Sequence, residues 1–215
     1  MLYAITDRQR LSPEERIARE QLVLDAANWA RSGVTWIQMR EKDLDARAQV
    51  ALARDLLAAI RQPGSSTRLL INSRPDVALA AGADGVHLTS APDTLTPGEV
   101  RRLFRAAGAP RPRISIACHT PDEAAAARHA EVDCILFAPV FGKVLRTAAG
   151  VEQRLPGAGL EKLAAACHAA GSVPVYALGG VTEQNASECL AAGATGIAAI
   201  RLLQQPPAVW RAFAE

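Results

Sequence analysis

The chain has 215 residues, enough for one hydrophobic core and short for two. Its 24 Lys and Arg are interspersed with 22 Asp and Glu, which gives no reason to invoke a nucleic acid or an anionic membrane as partner. Four cysteines (Cys118, Cys134, Cys167, Cys189) stand at no C-x-x-C spacing, and no apolar run suits a signal peptide or a membrane span, so a reduced, cytoplasmic setting is expected.

Short apolar runs recur along the chain: Leu2–Ile5, Val34–Met39, Arg68–Ile71, Gly85–Leu88, Ile114–Cys118, Cys134–Phe137, Val173–Leu178 and Gly196–Ile200. Each is of strand length and has the near-continuous apolar character of a strand covered on both faces. Helical patterns fill the gaps. Residues 14–32 place Ile17, Leu22, Leu24 and Trp29 among charges, and 44–61 carry Val50, Ala51, Leu56 and Leu57. Pro75, Thr96-Pro97, Thr120-Pro121 and Glu183 mark later helix starts, and Gly33, Gly82, Gly171 and Gly193 mark stops. An eighth helix falls at 207–214. Residues 139–159 read as a long loop carrying Lys143, Arg146 and Arg154.

Strictly alternating strands and helices imply parallel pairing with right-handed crossovers. Eight units in 1–215 predict a single α/β domain, a (β/α)8 TIM barrel. An open doubly wound sheet would need a glycine-rich turn after the first strand, where the chain has Thr6-Asp7-Arg8.

In such a barrel the strand C-termini face the working site. That rule selects Asp7 and Arg8; Gln38, Arg40 and Lys42; Asn72, Ser73 and Arg74; His87; His119; Lys143; Gly179 and Gly180; and Arg201. The glycine pair opens a turn whose backbone can approach a phosphate. Arg40 and Lys42 suit a phosphate or diphosphate. His119 is placed to transfer protons. His87 lies between strand apolar residues and reads as a core histidine, while His129 and His168 fall on helices. The basic stretch Arg101, Arg102, Arg105, Arg111 and Arg113 has no interleaved aromatics and reads as a solvated helix face and loop.

Taken together, Tyr3-Ala-Ile-Thr-Asp-Arg8, Gln38-Met-Arg-Glu-Lys42, Ile71-Asn72, Ala83-Asp-Gly-Val-His-Leu88, His119-Thr-x-x-Glu123-Ala, Ala138-Pro-Val-Phe141 and Ala177-Leu-Gly-Gly-Val181 resemble the thiamine-phosphate synthase and TenI-type thiazole tautomerase superfamily. The likeness spans nearly the whole chain. It implies phosphorylated thiazole and pyrimidine ligands; a homo-oligomer stays open. In the synthase, a pyrimidine diphosphate and a thiazole phosphate join with loss of pyrophosphate, and magnesium with cationic side chains holds the diphosphate. Gln38, Arg40, Lys42 and Asn72 match that half of the site, and Gly179 and Gly180 match the thiazole-phosphate half.

The chain departs from the synthase pattern at several of these positions. The family's Asn-Asp after the third strand reads Asn72-Ser73, and its next acidic position falls near Pro92, with Asp93 beside it. The Thr-x-Thr-Lys loop reads Gly142-Lys143-Val144-Leu145-Arg146, and two serines are replaced by Ala117 and Arg201. Losing both carboxylates weakens a magnesium site. The expectation is therefore a metal-independent, cofactor-free thiazole tautomerase, with His119 moving the proton and Gly179, Gly180 and Arg201 holding phosphate. A synthase that uses magnesium is the alternative, and a non-catalytic phosphate-binding barrel the third reading.

Overall fold

The computed structural model describes residues 1–91, 93–146 and 152–214. In chain order the strands are β1 (Leu2–Ile5), β2 (Trp36–Met39), β3 (Arg68–Asn72), β4 (Gly85–Leu88), β5 (Arg113–Cys118), β6 (Cys134–Phe137), β7 (Lys143–Arg146), β8 (Glu152–Leu155), β9 (Val175–Leu178) and β10 (Gly196–Ala199). The helices are α1 (Glu15–Arg31), α2 (Ala46–Ile60), α3 (Pro75–Ala81), α4 (Pro97–Ala106), α5 (Pro121–His129), α6 (Leu160–Ala170), α7 (Ala186–Ala191) and α8 (Pro207–Trp210). Eight parallel strands close in the order β1-β10-β9-β6-β5-β4-β3-β2, the expected (β/α)8 barrel.

Alternation along each strand divides the core. Tyr3, Ile5, Leu70, Cys134, Leu136, Tyr176 and Ala198 form one buried cluster filling the barrel. Their neighbours Leu2, Ala4, Ile37, Leu69, Ile71, Ile135 and Ile197 join a larger cluster with helix residues such as Leu22, Trp29, Leu52, Leu56 and Leu163. The barrel strands are thus buried on both faces, and most of them read as short unbroken apolar runs rather than alternating ones.

Helix starts follow local hydrogen-bonding chemistry. Asp45 caps α2 by accepting from the Ala48 amide at 2.8 Å. Thr96 caps α4 with a complete capping box: its hydroxyl accepts from the Glu99 amide at 3.3 Å, and Glu99 accepts from the Thr96 amide at 2.8 Å. Thr120 caps α5 in the same way, but Glu123 turns its carboxylate to the His119 amide instead.

Two elements differ from expectation. The long loop after β6 contains the antiparallel pair β7–β8, with Lys143 opposite Leu155 and Arg146 opposite Glu152. Helix α7 starts at Ala186 rather than near Glu183, because Asn185 accepts from the Thr182 amide at 2.8 Å and donates to the Gly180 carbonyl at 3.1 Å, holding those residues in a turn. Residues 147–151 of the loop, and Pro92, lie outside the described residues. Among the described residues no helix is long and apolar enough to cross a membrane.

Replacing Thr96 with Ala removes the α4 cap. It is expected to cost about 1 kcal/mol, read as a lower urea midpoint at unchanged slope.

Candidate active site at the strand ends

Parallel closure brings residues far apart in sequence to one rim. Gln38 lies near the end of β2 and Arg40 follows it, Asn72 ends β3 and Ser73 follows it, Thr89 and Ser90 follow β4, His119 follows β5, Gly179 and Gly180 follow β9, and Arg201 comes just beyond β10. Lys143 opens β7, and its side chain lies outside what is described.

Arg8 was expected at this mouth and is instead a buried clamp, 3% exposed. Its guanidinium donates to Glu41 at 3.0 Å, to Asp43 at 2.9 and 2.6 Å and to Glu15 at 2.9 Å, and its amide donates to Glu41. A buried charge is tolerable only when paired and hydrogen-bonded. Pairing holds Asp43 down to about 2 through its bonds to Arg8. Burial dominates at Glu41 and raises its carboxyl despite the same partner, a difference that follows from Glu41 being buried and Asp43 being exposed. The clamp has a consequence for the mouth. Glu41 and Asp43, the acids on either side of Lys42, are both taken by Arg8. Among the described residues Arg40 and Lys42 form no ion pair, so their charge is available to an anion.

The floor is polar and neutral. Gln38 is buried and donates from Nε2 to Asn72 Oδ1 at 2.8 Å; among the described residues its Oε1 has no partner. The amide of Ser73 donates to the His87 carbonyl at 2.8 Å, holding a non-glycine residue at φ 55. That left-handed backbone strains a serine and marks the end of β3 as a held, unusual turn. His87 is a core histidine, as expected. Its Nδ1 lies 2.8 Å from Ser115 Oγ, which in turn meets the Tyr3 hydroxyl at 2.9 Å. Burial, helped by the charge of Arg40, pushes His87 down to about 3, so it is uncharged at neutral pH.

His119 is exposed at the rim. Its Nδ1 meets the Ala138 carbonyl and its Nε2 lies 2.9 Å from Ser90 Oγ. A carbonyl only accepts, so Nδ1 carries a hydrogen, and in the neutral ring Nε2 is the nitrogen that accepts from the serine. The His119 amide donates to Glu123 at 2.6 Å and fixes the residue from behind. Ser90 escapes sequence reading: 29 positions separate it from His119, and only the β4–β5 pairing brings them together.

The glycine pair has positive φ, 97° at Gly179 and 68° at Gly180. A Cβ on Gly179 would stand 2.8 Å from Pro139, and one on Gly180 would stand 2.7 Å from Phe141. The β6–β7 connection therefore presses on this turn, and packing as well as backbone angle demands glycine. Arg201 is exposed at the end of β10. Arg74 pairs with Asp76 two residues on and turns to its own helix. The basic stretch was read as a solvated helix face and loop; in it Arg101 and Arg111 pair with Glu131 and Arg113 with Asp133.

Magnesium was the metal implied by the synthase resemblance. Among the described residues no three His, Cys, Asp or Glu side chains gather to hold a metal ion. At the end of β3 the donors are an amide and a hydroxyl, and Asp93 is exposed in the loop beyond β4. Hard cations favour carboxylate oxygens, so these side chains do not build a magnesium site of their own. The four thiols are free, and burial raises each of them, Cys118 to about 12.

Cations without an ion pair among the described residues, a hydrogen-bonding floor and a glycine turn at the C-terminal mouth of a closed parallel barrel are the features from which small-molecule anion sites are built. The thiamine monophosphate synthase family model matches residues 2–203, and the chain belongs to that family. A relative from Geobacter sulfurreducens is 39% identical over 206 residues, 96% of this chain and 87% of its own. The thiamine-phosphate synthase of Roseiflexus castenholzii is 33% identical, covering 100% of this chain and 87% of its own. Among solved structures, the thiamine phosphate pyrophosphorylase from Pyrococcus furiosus superposes with a TM-score of 0.74 at 29% identity, covering 100% of this chain and 91% of that one.

Two predictions concern this rim. Asp43 sits at about 2 in the fold against an ordinary 3.8, so its contribution is present above pH 3.8 and disappears as pH falls towards 2. In denaturant melts Asp43→Asn should be less stable than the parent at pH 6, and the two should converge near pH 2. Gly179→Ala, facing both the φ penalty and the contact with Pro139, is expected to lose about 1–3 kcal/mol, seen as a lower Tm.

Proposed function

We propose that this chain is a transferase of the thiamine-phosphate synthase kind, joining a pyrimidine diphosphate to a thiazole phosphate with release of pyrophosphate. The observation that carries this reading is the second half-site. Gln38 offers a buried acceptor without a partner among the described residues, which an amino group on a pyrimidine would satisfy, and a buried polar atom is costly until it is satisfied. Asn72 orients that amide. Arg40 and Lys42, freed from local acids by Arg8, suit the diphosphate, and the departing pyrophosphate carries the charge they would neutralise. The glycine turn suits the phosphate of the partner. A tautomerase that works on a thiazole phosphate alone has no use for the amide floor and the cations together. The names of the relatives support the same reading. It reverses the order in which the residues alone ranked the two reactions.

His119 favours a second reading, the thiazole tautomerisation. A rim imidazole with Nδ1–H donated to a carbonyl and Nε2 basic is a proton-transfer group, and that reaction needs no metal.

One assay separates them. The protein is incubated with pyrimidine diphosphate, thiazole phosphate and magnesium, and separately with the thiazole carboxylate phosphate. Thiamine phosphate and pyrophosphate are the expected products of the first mixture. No product there, with isomerisation in the second, would replace the first reading by the second. Thermal stabilisation by thiazole phosphate with no turnover in either would leave a non-catalytic binder.

A further inference from the structure

We propose that Ser90 is the relay through which His119 exchanges a proton with a ligand at the barrel mouth. The reaction it would serve is the proton transfer of the second reading; the pairing itself rests on geometry alone. Nδ1 of His119 is committed to the Ala138 carbonyl, so Nε2 is its one basic nitrogen. Ser90 Oγ stands on that nitrogen at 2.9 Å. Turning the ring over would break its bonds to both Ala138 and Ser90. Ser90 is an exposed residue, and among the described residues His119 is the hydrogen-bond partner of its hydroxyl, whose oxygen keeps a lone pair with which to accept a proton. The loop that carries it is closed by a 3.0 Å bond between Thr89 and Thr94.

The step balances without an oxidant or a metal. The ligand's acidic C–H or N–H gives its proton to Ser90 Oγ while the serine's own proton moves to Nε2. The ligand keeps the electron pair, the imidazole becomes imidazolium, and the serine ends as it began. Return of a proton along the same path to another ligand atom completes an isomerisation. Ser90 is thus a positioning and relay residue, and His119 is the base.

Two measurements on the intact protein test this. The first is nitrogen NMR of the imidazole in the parent, Ser90→Ala and Ser90→Thr. The parent should show the neutral Nδ1–H form, with the Nε2 resonance moved in Ser90→Ala and restored in Ser90→Thr. A parent with the hydrogen on Nε2, or an Nε2 signal indifferent to Ser90→Ala, overturns the pairing whatever reaction the barrel performs. The second is turnover of the thiazole carboxylate phosphate. A relay predicts a kcat loss of about 100-fold, typical of removing a proton-transfer group, with KM within about twofold, and recovery in Ser90→Thr. Unchanged kcat in Ser90→Ala with the NMR pairing intact overturns the relay and leaves a structural bond. No turnover by the parent defeats the second reading and with it the relay's reaction, while the NMR result still decides the pairing.

Discussion

Closure of the parallel barrel is the constraint on which everything else depends. β1 is hydrogen-bonded to β2 on one side and β10 on the other, so no edge remains and eight C-terminal ends share one rim. The lumen is narrow and is filled by side chains. The polar groups it buries therefore have to satisfy one another. Tyr3, Ser115 and His87 form one chain, and Trp36 donates to the Tyr176 hydroxyl at 3.2 Å. The filling ends at Gln38, whose Oε1 is left without a partner among the described residues.

Electrostatics at the rim are set by a residue that never reaches it. Arg8 faces three carboxylates and is the bolt between the ends of β1 and β2. Such a cluster is weak evidence for stability, because desolvating the charges offsets much of their attraction. Its stronger effect is on charge distribution. Glu41, Lys42 and Asp43 are consecutive, and if both acids turned to the lysine the strand-two motif would be locally neutral. With Arg8 holding them, the charges still balance in number, but among the described residues the positive groups of Arg40 and Lys42 make no ion pair.

The barrel was legible in the sequence because two-sided burial writes itself as short apolar runs; Cys134–Phe137 and Gly196–Ala199 are examples read nearly to the residue. The hairpin β7–β8 was not, since Lys-Val-Leu-Arg and Glu-Gln-Arg-Leu carry little of a buried strand's pattern. At the site, His119 and the glycine pair follow from the rule that strand ends face the chemistry. Arg8 defeats the same rule because its side chain turns sideways to neighbouring acids. Ser90 cannot be found by spacing at all, as its partner lies on the next strand and beyond a helix. Local pattern reports burial; contacts between neighbouring strand ends exist only after closure.

The glycine pair shows why residue identity alone is an uncertain guide to chemistry. Gly179 and Gly180 would be read as a phosphate turn from sequence, yet Pro139 and Phe141 approach so closely that a methyl group at either position has no room. The two explanations are not rivals. Ala138, next to Pro139, supplies the carbonyl that sets the tautomer of His119, while Val140 and Phe141 donate their amides to Leu178 and Gly179 at 2.8 and 2.9 Å. One short segment therefore touches His119 at one end and the glycine turn at the other. A shift in that segment would move the His119 contact and the glycine turn together, so the two corners of the rim are mechanically one feature.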